Sequence, residues 1–97
     1  MKSKAKVKEV KELEVTDPEF FSKRGVEKFN VGDYDGAIED FEKAISLDSE
    51  NPNYYNLRGH ARFSHNDLKG ARSDFNKSKK LKTKSKKQRK ASALTPQ

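Results

Sequence analysis

Gly32-Asp33-Tyr34-Asp35-Gly36-Ala37-Ile38-Glu39-Asp40-Phe41-Glu42-Lys43-Ala44-Ile45-Ser46-Leu47-Asp48 is the stretch that decides the fold. Tyr34, Ala37, Ile38, Phe41, Ala44 and Ile45 recur at helical spacing and share one face, so this is an amphipathic helix. Gly32 is a helix stop, and Asp33 supplies a side-chain oxygen for the exposed amides of the helix that follows. Charged residues fill the opposite face.

The same pattern returns further along the chain. Gly25 and Gly59 are 34 positions apart, and that offset also pairs Phe21 with Tyr55, Arg24 with Arg58 and Phe29 with Phe63. It pairs Asp33 with Asp67, Tyr34 with Leu68, Gly36 with Gly70, Ala37 with Ala71, Asp40 with Asp74, Phe41 with Phe75, Lys43 with Lys77 and Leu47 with Leu81. A fixed period of this length is the signature of a repeat architecture. Each unit reads as two helices. Thr16-Asp17-Pro18-Glu19 opens the first helix, with Thr16 or Asp17 as cap and Glu19 completing a possible capping box. Val31-Gly32 closes it. Asn51-Pro52 opens the third helix, and Asn66-Asp67 separates it from a fourth that carries Leu68, Ala71, Phe75 and Leu81. Gly25 and Gly59 fall in mid-helix, at a cost of about 1 kcal/mol each relative to Ala. That cost is tolerable where a partner helix must come close, with Ala37, Ala44 and Ala71 opposite and Phe41 and Phe75 filling the space beside them.

On these residues the chain resembles the tetratricopeptide repeat family. The resemblance covers residues 18–81 and implies an all-α fold: two helix–turn–helix hairpins, 18–51 and 52–81, in a short right-handed solenoid with flexible ends. The sequence departs from the family pattern at the middle of the first helix of each unit. Lys28 and Arg62 stand where a large apolar residue is usual, with Phe29 and Phe63 one place later, which should weaken packing. Ser49 replaces the proline expected after the second helix.

Equivalent positions show where the array ends. Ile38 and Ile45 of the first unit become Arg72 and Lys79 in the second, Ala44 becomes Ser78, and Ala61 corresponds to Glu27 at the front. Apolar residues at the junction and polar ones at both ends are what capping units require.

In this family the first helices of successive repeats line a concave groove for extended or helical peptides. By position the groove takes Glu19, Ser22, Lys23, Val26, Phe29 and Asn30 from the first unit, and Asn53, Asn56, Leu57, His60, Phe63 and Ser64 from the second. Asn53 and Asn56 offer both donor and acceptor to a peptide backbone. Phe29 and Phe63 could supply apolar contact, with at least one of them expected in the core instead. The family's two-carboxylate clamp for chaperone C-termini is not implied, because its places hold Ser22, Val26 and Leu57 and its fifth helix has no counterpart.

The net charge of +7 divides unevenly. Residues 1–17 carry five lysines against four acids, residues 18–81 carry eleven charges of each sign, and residues 82–97 carry six basic residues and no acid. The excess is therefore a property of the tail. Lys82, Lys84, Lys86, Lys87, Arg89 and Lys90 repel one another, so the tail is expected to be disordered and suited to nonspecific polyanion contact, including nucleic acid. Without interleaved aromatics it has no means of stacking bases. Residues 18–51 are net −5 and residues 52–81 net +5, so a monomer or a weak homodimer is expected. Val7, Val10 and Leu13 form a weak helical stripe in an N-terminal arm, 1–17, that is partly ordered at most.

Catalysis finds no support. There is no Cys, no phosphate-binding Gly loop, and His60 and His65 share no helical face, so neither metal nor cofactor is expected. Ser64, His65 and Asp67 read as turn residues, and the sequon Asn76-Lys77-Ser78 carries no weight without a secretory signal. No run is apolar enough to span a membrane. The expectation is a cytoplasmic, non-enzymatic module whose partner is a peptide or helix of another protein; the alternatives are a small nucleic-acid- or ribosome-associated factor acting through the basic tail, or a homodimeric structural subunit.

Overall fold

A computed structural model gives the fold and describes residues 15–94, with side chains described for residues 15–84. The expected stripe of Val7, Val10 and Leu13 and the side chains of Lys86, Lys87, Arg89 and Lys90 lie outside the described residues. All regular structure among the described residues is helical: α1 Pro18–Asn30, α2 Tyr34–Leu47, α3 Pro52–Ser64 and α4 Leu68–Leu94. Neighbours in sequence are neighbours in space. α1 packs on α2, α2 on α3 and α3 on α4, while α1 also touches α3.

The helix ends follow from local chemistry. Asp17 caps α1 by accepting the amide of Glu19 at 3.0 Å, with Pro18 in the first turn. Thr16 is therefore not the cap. Glu19 stands two residues past the cap, so the expected capping box does not form. Asn51 repeats the arrangement for α3, accepting from the amide of Asn53 at 3.0 Å ahead of Pro52. Asp33 and Asp67 each accept the amide three residues on, from Gly36 and Gly70, at 3.0 Å. The turn inside each hairpin is also shared. Gly32 has φ +86°, and Asn66, at the equivalent position, has φ +69°. Asn is the residue after Gly best suited to that left-handed conformation. The next amides, of Asp33 and Asp67, then reach back to the carbonyls of Lys28 and Arg62 at 2.8 and 2.7 Å.

Two buried clusters hold the hairpins together. Phe21, Ala44 and Tyr54 form one, with Val15, Ile45 and Leu57 packed against it. Ala37, Phe41 and Ala61 form the other, with Val26, Phe29, Ile38 and Leu57 around it. Ala61 is fully buried in this junction, whereas its counterpart Glu27 is exposed. Ile38 and Ile45 are half-buried, and their counterparts Arg72 and Lys79 are exposed. Ser78, counted with the soluble end, is nonetheless buried at 3% exposure.

The glycines occupy matching surroundings. A Cβ on Gly25 would lie 2.5 Å from Cε1 of Phe41, and one on Gly59 would lie 2.6 Å from Cε1 of Phe75. The ring of the second helix lies directly on the backbone of the first in both hairpins.

α4 departs from the expectation. The repeat period suggests a stop near Leu81, yet the helix continues to Leu94 through the stretch read as a disordered tail. Gly and Pro are absent between Gly70 and Pro96, and Lys, Arg and Gln are good helix formers, so nothing in the backbone ends it. Leu81 is buried, and one turn later Nζ of Lys84 approaches Glu50 Oε1 at 3.6 Å.

Candidate functional site

α1 and α3 carry the residues expected to form the groove, and the structure sorts them into two groups. Asn53, Asn56, His60 and Ser64 recur three or four places apart and form one ridge along α3. Asn53, His60 and Ser64 are exposed and Asn56 is half-buried. The side-chain amides of Asn53 and Asn56 make no hydrogen bond to any described residue, while the His60 ring meets Phe75 edge-on at 5.1 Å. On α1, Glu19, Lys23 and Asn30 are exposed. Ser22 is not: it is buried at 6% exposure, and its hydroxyl donates to the carbonyl of Glu19 at 3.2 Å. A serine hydroxyl in a helix is easily satisfied by its own preceding turn, and here that leaves nothing to offer a ligand.

The apolar candidates divide in the same way. Val26 and Leu57 are packed against the junction clusters and hold the two hairpins together. Phe29 is half-buried, its ring 5.3 Å from that of Tyr34. Phe63, one repeat on, is 60% exposed. Phe29 is thus the core phenylalanine and Phe63 the available one: Phe29 packs on Tyr34, whereas the position matching Tyr34 in the second hairpin holds Leu68, itself exposed.

A second constellation lies outside the expected groove. Asp40 is 1% exposed, and both of its carboxylate oxygens are engaged. Nε of Arg24 donates to Oδ2 at 3.0 Å and Nη2 to Oδ1 at 2.8 Å, while Nζ of Lys28 lies 3.1 Å from Oδ2. The second hairpin copies this. Arg58 holds Asp74 with the same two bonds at 3.0 and 2.8 Å, and Nη1 of Arg62 donates to Oδ2 at 3.0 Å. Lys28 and Arg62, the apparent departures from the family pattern, are therefore the second cations on a buried aspartate. A two-pronged guanidinium bond is both strong and directional, so the expected weakening is offset by an ion-pair clasp between the helices of each hairpin. Glu42 of α2 joins the second clasp, its Oε2 lying 3.8 Å from both Arg58 and Arg62. The signal was present in the sequence: all three charged positions recur at the repeat offset.

Burial alone would raise the pKa of Asp40, but the hydrogen bonds and charges of Arg24 and Lys28 outweigh it and hold its carboxyl below the usual aspartate range. A folded-state value below the unfolded one gives stability that is present above about pH 3.9 and is lost as pH falls through the folded value. Acid titration followed by circular dichroism is therefore expected to show a helical signal that persists to about pH 4 and decays below it. In Asp40→Asn that acid-dependent loss should shrink; an unchanged titration would mean that other carboxylates govern acid unfolding.

Across the hairpins, Nε2 of His65 sits 3.0 Å from Oδ1 of Asp35, joining the end of α3 to the first turn of α2. Among the described residues, no group of three or more His, Asp or Glu side chains is placed to hold a metal ion, and no helix is long and apolar enough to cross a membrane.

A family model described as TPR repeat matches residues 27–66, from within α1 through α2 and α3 to the turn before α4. A search of curated proteins matches none to the chain.

Proposed function

The chain is a tetratricopeptide repeat protein by sequence match and by fold, and on that footing we propose that it is a non-enzymatic adaptor holding a peptide or helical segment of another protein against α1 and α3. Repeats of this family serve as protein-interaction modules in general. The observation that favours this particular surface is the α3 ridge, where Asn53 and Asn56 present amide groups with no hydrogen-bond partner among the described residues. A primary amide can donate to a peptide carbonyl and accept from a peptide N–H. Exposed Phe63 adds apolar area at one end of the ridge, and Lys23 and Glu19 bring one charge of each sign from α1. Ser22, Val26, Phe29 and Leu57 support this surface from beneath.

Selection of binders from a random peptide library tests the reading. Peptides recovered on the intact chain are expected to shift the amide resonances of Asn53, Asn56, His60 and Ser64. They should bind Asn53→Ala/Asn56→Ala roughly tenfold more weakly, about the worth of one or two hydrogen bonds. Peptides that bind both chains equally, or that shift only α2, would refute the proposed surface.

A further inference from the structure

The continuity of α4 changes what its charges can do. From Leu68 to Leu94 the sequence contains eleven basic residues and one acid, Asp74. That acid points inward, 2% exposed and held by Arg58 and Arg62. The buried side of α4 is set by Ala71, Asp74, Ser78 and Leu81. At about 100° per residue, the diametrically opposite side carries Lys69, Arg72, Ser73, Asn76, Lys80 and Thr83, with Lys79 at its edge. All seven are exposed. No acid interrupts this face between Leu68 and Lys84, so its positive potential is uncompensated along the helix.

We propose that the outward face of α4 is a docking surface for the phosphate backbone of double-stranded nucleic acid, built on Lys69, Arg72, Lys79 and Lys80 within the second hairpin. The surface is independent of the peptide-binding reading, since it lies on the other helix of that hairpin. Three observations select this partner. The charges sit on one continuous helix, Lys69 to Lys80 spanning about 17 Å, so their spacing is set for regularly spaced phosphates. Ser73 and Asn76 between the cations are neutral donors of the kind that also bind phosphate oxygens. Between Lys69 and Thr83 this face carries no aromatic and no large apolar side chain: Phe75 turns toward Gly59 and Leu81 is buried. Base stacking, which single-strand binders use, and insertion into a lipid surface, which needs an apolar face, both lack their groups. Contacts to phosphate alone imply binding without sequence preference.

Fluorescence anisotropy of a mixed-sequence 20-base-pair duplex, read across salt concentration on the full chain, tests the proposal. Lys69→Gln/Arg72→Gln/Lys79→Gln/Lys80→Gln should keep its helical signal, since all four side chains are exposed. It is expected to lose more than tenfold in affinity at 0.1 M salt, with a salt slope shallower by about 3 to 4, because each phosphate contact contributes about 0.9. Duplex affinity equal to that of the unaltered chain would overturn the proposal. So would loss of binding only in Lys86→Gln/Lys87→Gln/Arg89→Gln/Lys90→Gln, which would place the contact in the last turns alone. Equal affinity for poly-glutamate, or for vesicles of phosphatidylcholine and phosphatidylserine, would overturn the assignment to nucleic acid in favour of an acidic protein or a membrane surface. Asn53→Ala/Asn56→Ala should bind the duplex unchanged, which separates failure here from failure of the peptide site.

Discussion

A chain carrying Arg24→Met and Lys28→Met is expected to lose most of its folding free energy at neutral pH. Both cations of the Asp40 clasp would be gone, leaving a carboxylate with 1% exposure and no charged partner. Breaking a buried ion pair from one side costs about 3–5 kcal/mol, because the remaining charge cannot return to water. A domain of this size has roughly that much stability in all. The sign of the pH dependence should also invert. The unaltered chain loses stability in acid, whereas the double variant should gain it, since protonating a bare buried carboxyl removes the desolvation penalty. Adding Asp40→Leu should restore a cooperative thermal transition near the original one, as apolar replacement of a whole buried ion cluster is often neutral or stabilising. Lys28→Met also places an apolar side chain at the position where the resembled family has one. A double variant that melts like the parent would show that the clasp is peripheral.

Gly25→Ala is the second large effect, and its direction is informative. In an exposed helix the change would stabilise by about 1 kcal/mol. Here the new methyl would lie 2.5, 2.8 and 3.0 Å from three ring carbons of Phe41, a side chain only 1% exposed and with nowhere to withdraw. Overpacking of this kind costs about 1–3 kcal/mol, so a net loss is expected in urea unfolding. Gly59→Ala meets Phe75 at almost the same distance, but that ring is half-buried and has room to move, so its cost should be smaller. Combining Gly25→Ala with Phe41→Leu should recover part of the loss. A stabilised Gly25→Ala chain would mean that α1 and α2 are further apart than described.

These two sites mark where sequence reading succeeded and where it stopped. The glycine–phenylalanine contacts were legible because small and large residues repeat at one offset and steric fit is local to a hairpin. Caps at Asp33, Asp67 and Asn51 were legible for a similar reason: each is decided within three residues. The clasp was not read, because hydropathic periodicity assigns Lys28 and Arg62 to the surface, and their partners lie 12 residues away on another helix. Charge recurrence at Arg24, Lys28 and Asp40 would have revealed it. Ser22 was placed in the groove by position, yet one hydrogen bond to Glu19 and the packing around it remove it from solvent. The helix after Leu81 is hidden from a charge-based reading, since lysine repulsion points to disorder while the lack of any Gly or Pro leaves nothing to stop the helix.

Everything proposed for α1, α3 and α4 depends on one hairpin being used twice, with the same helix approach in both copies. Nuclear Overhauser spectra of the labelled protein test this directly. The Hα protons of Gly25 and Gly59 should both be shifted upfield by an aromatic ring, with cross-peaks to the ring protons of Phe41 and Phe75 respectively. Cross-peaks at Gly25 with none at Gly59 would contradict the account, leaving a single hairpin followed by a helix docked in some other way.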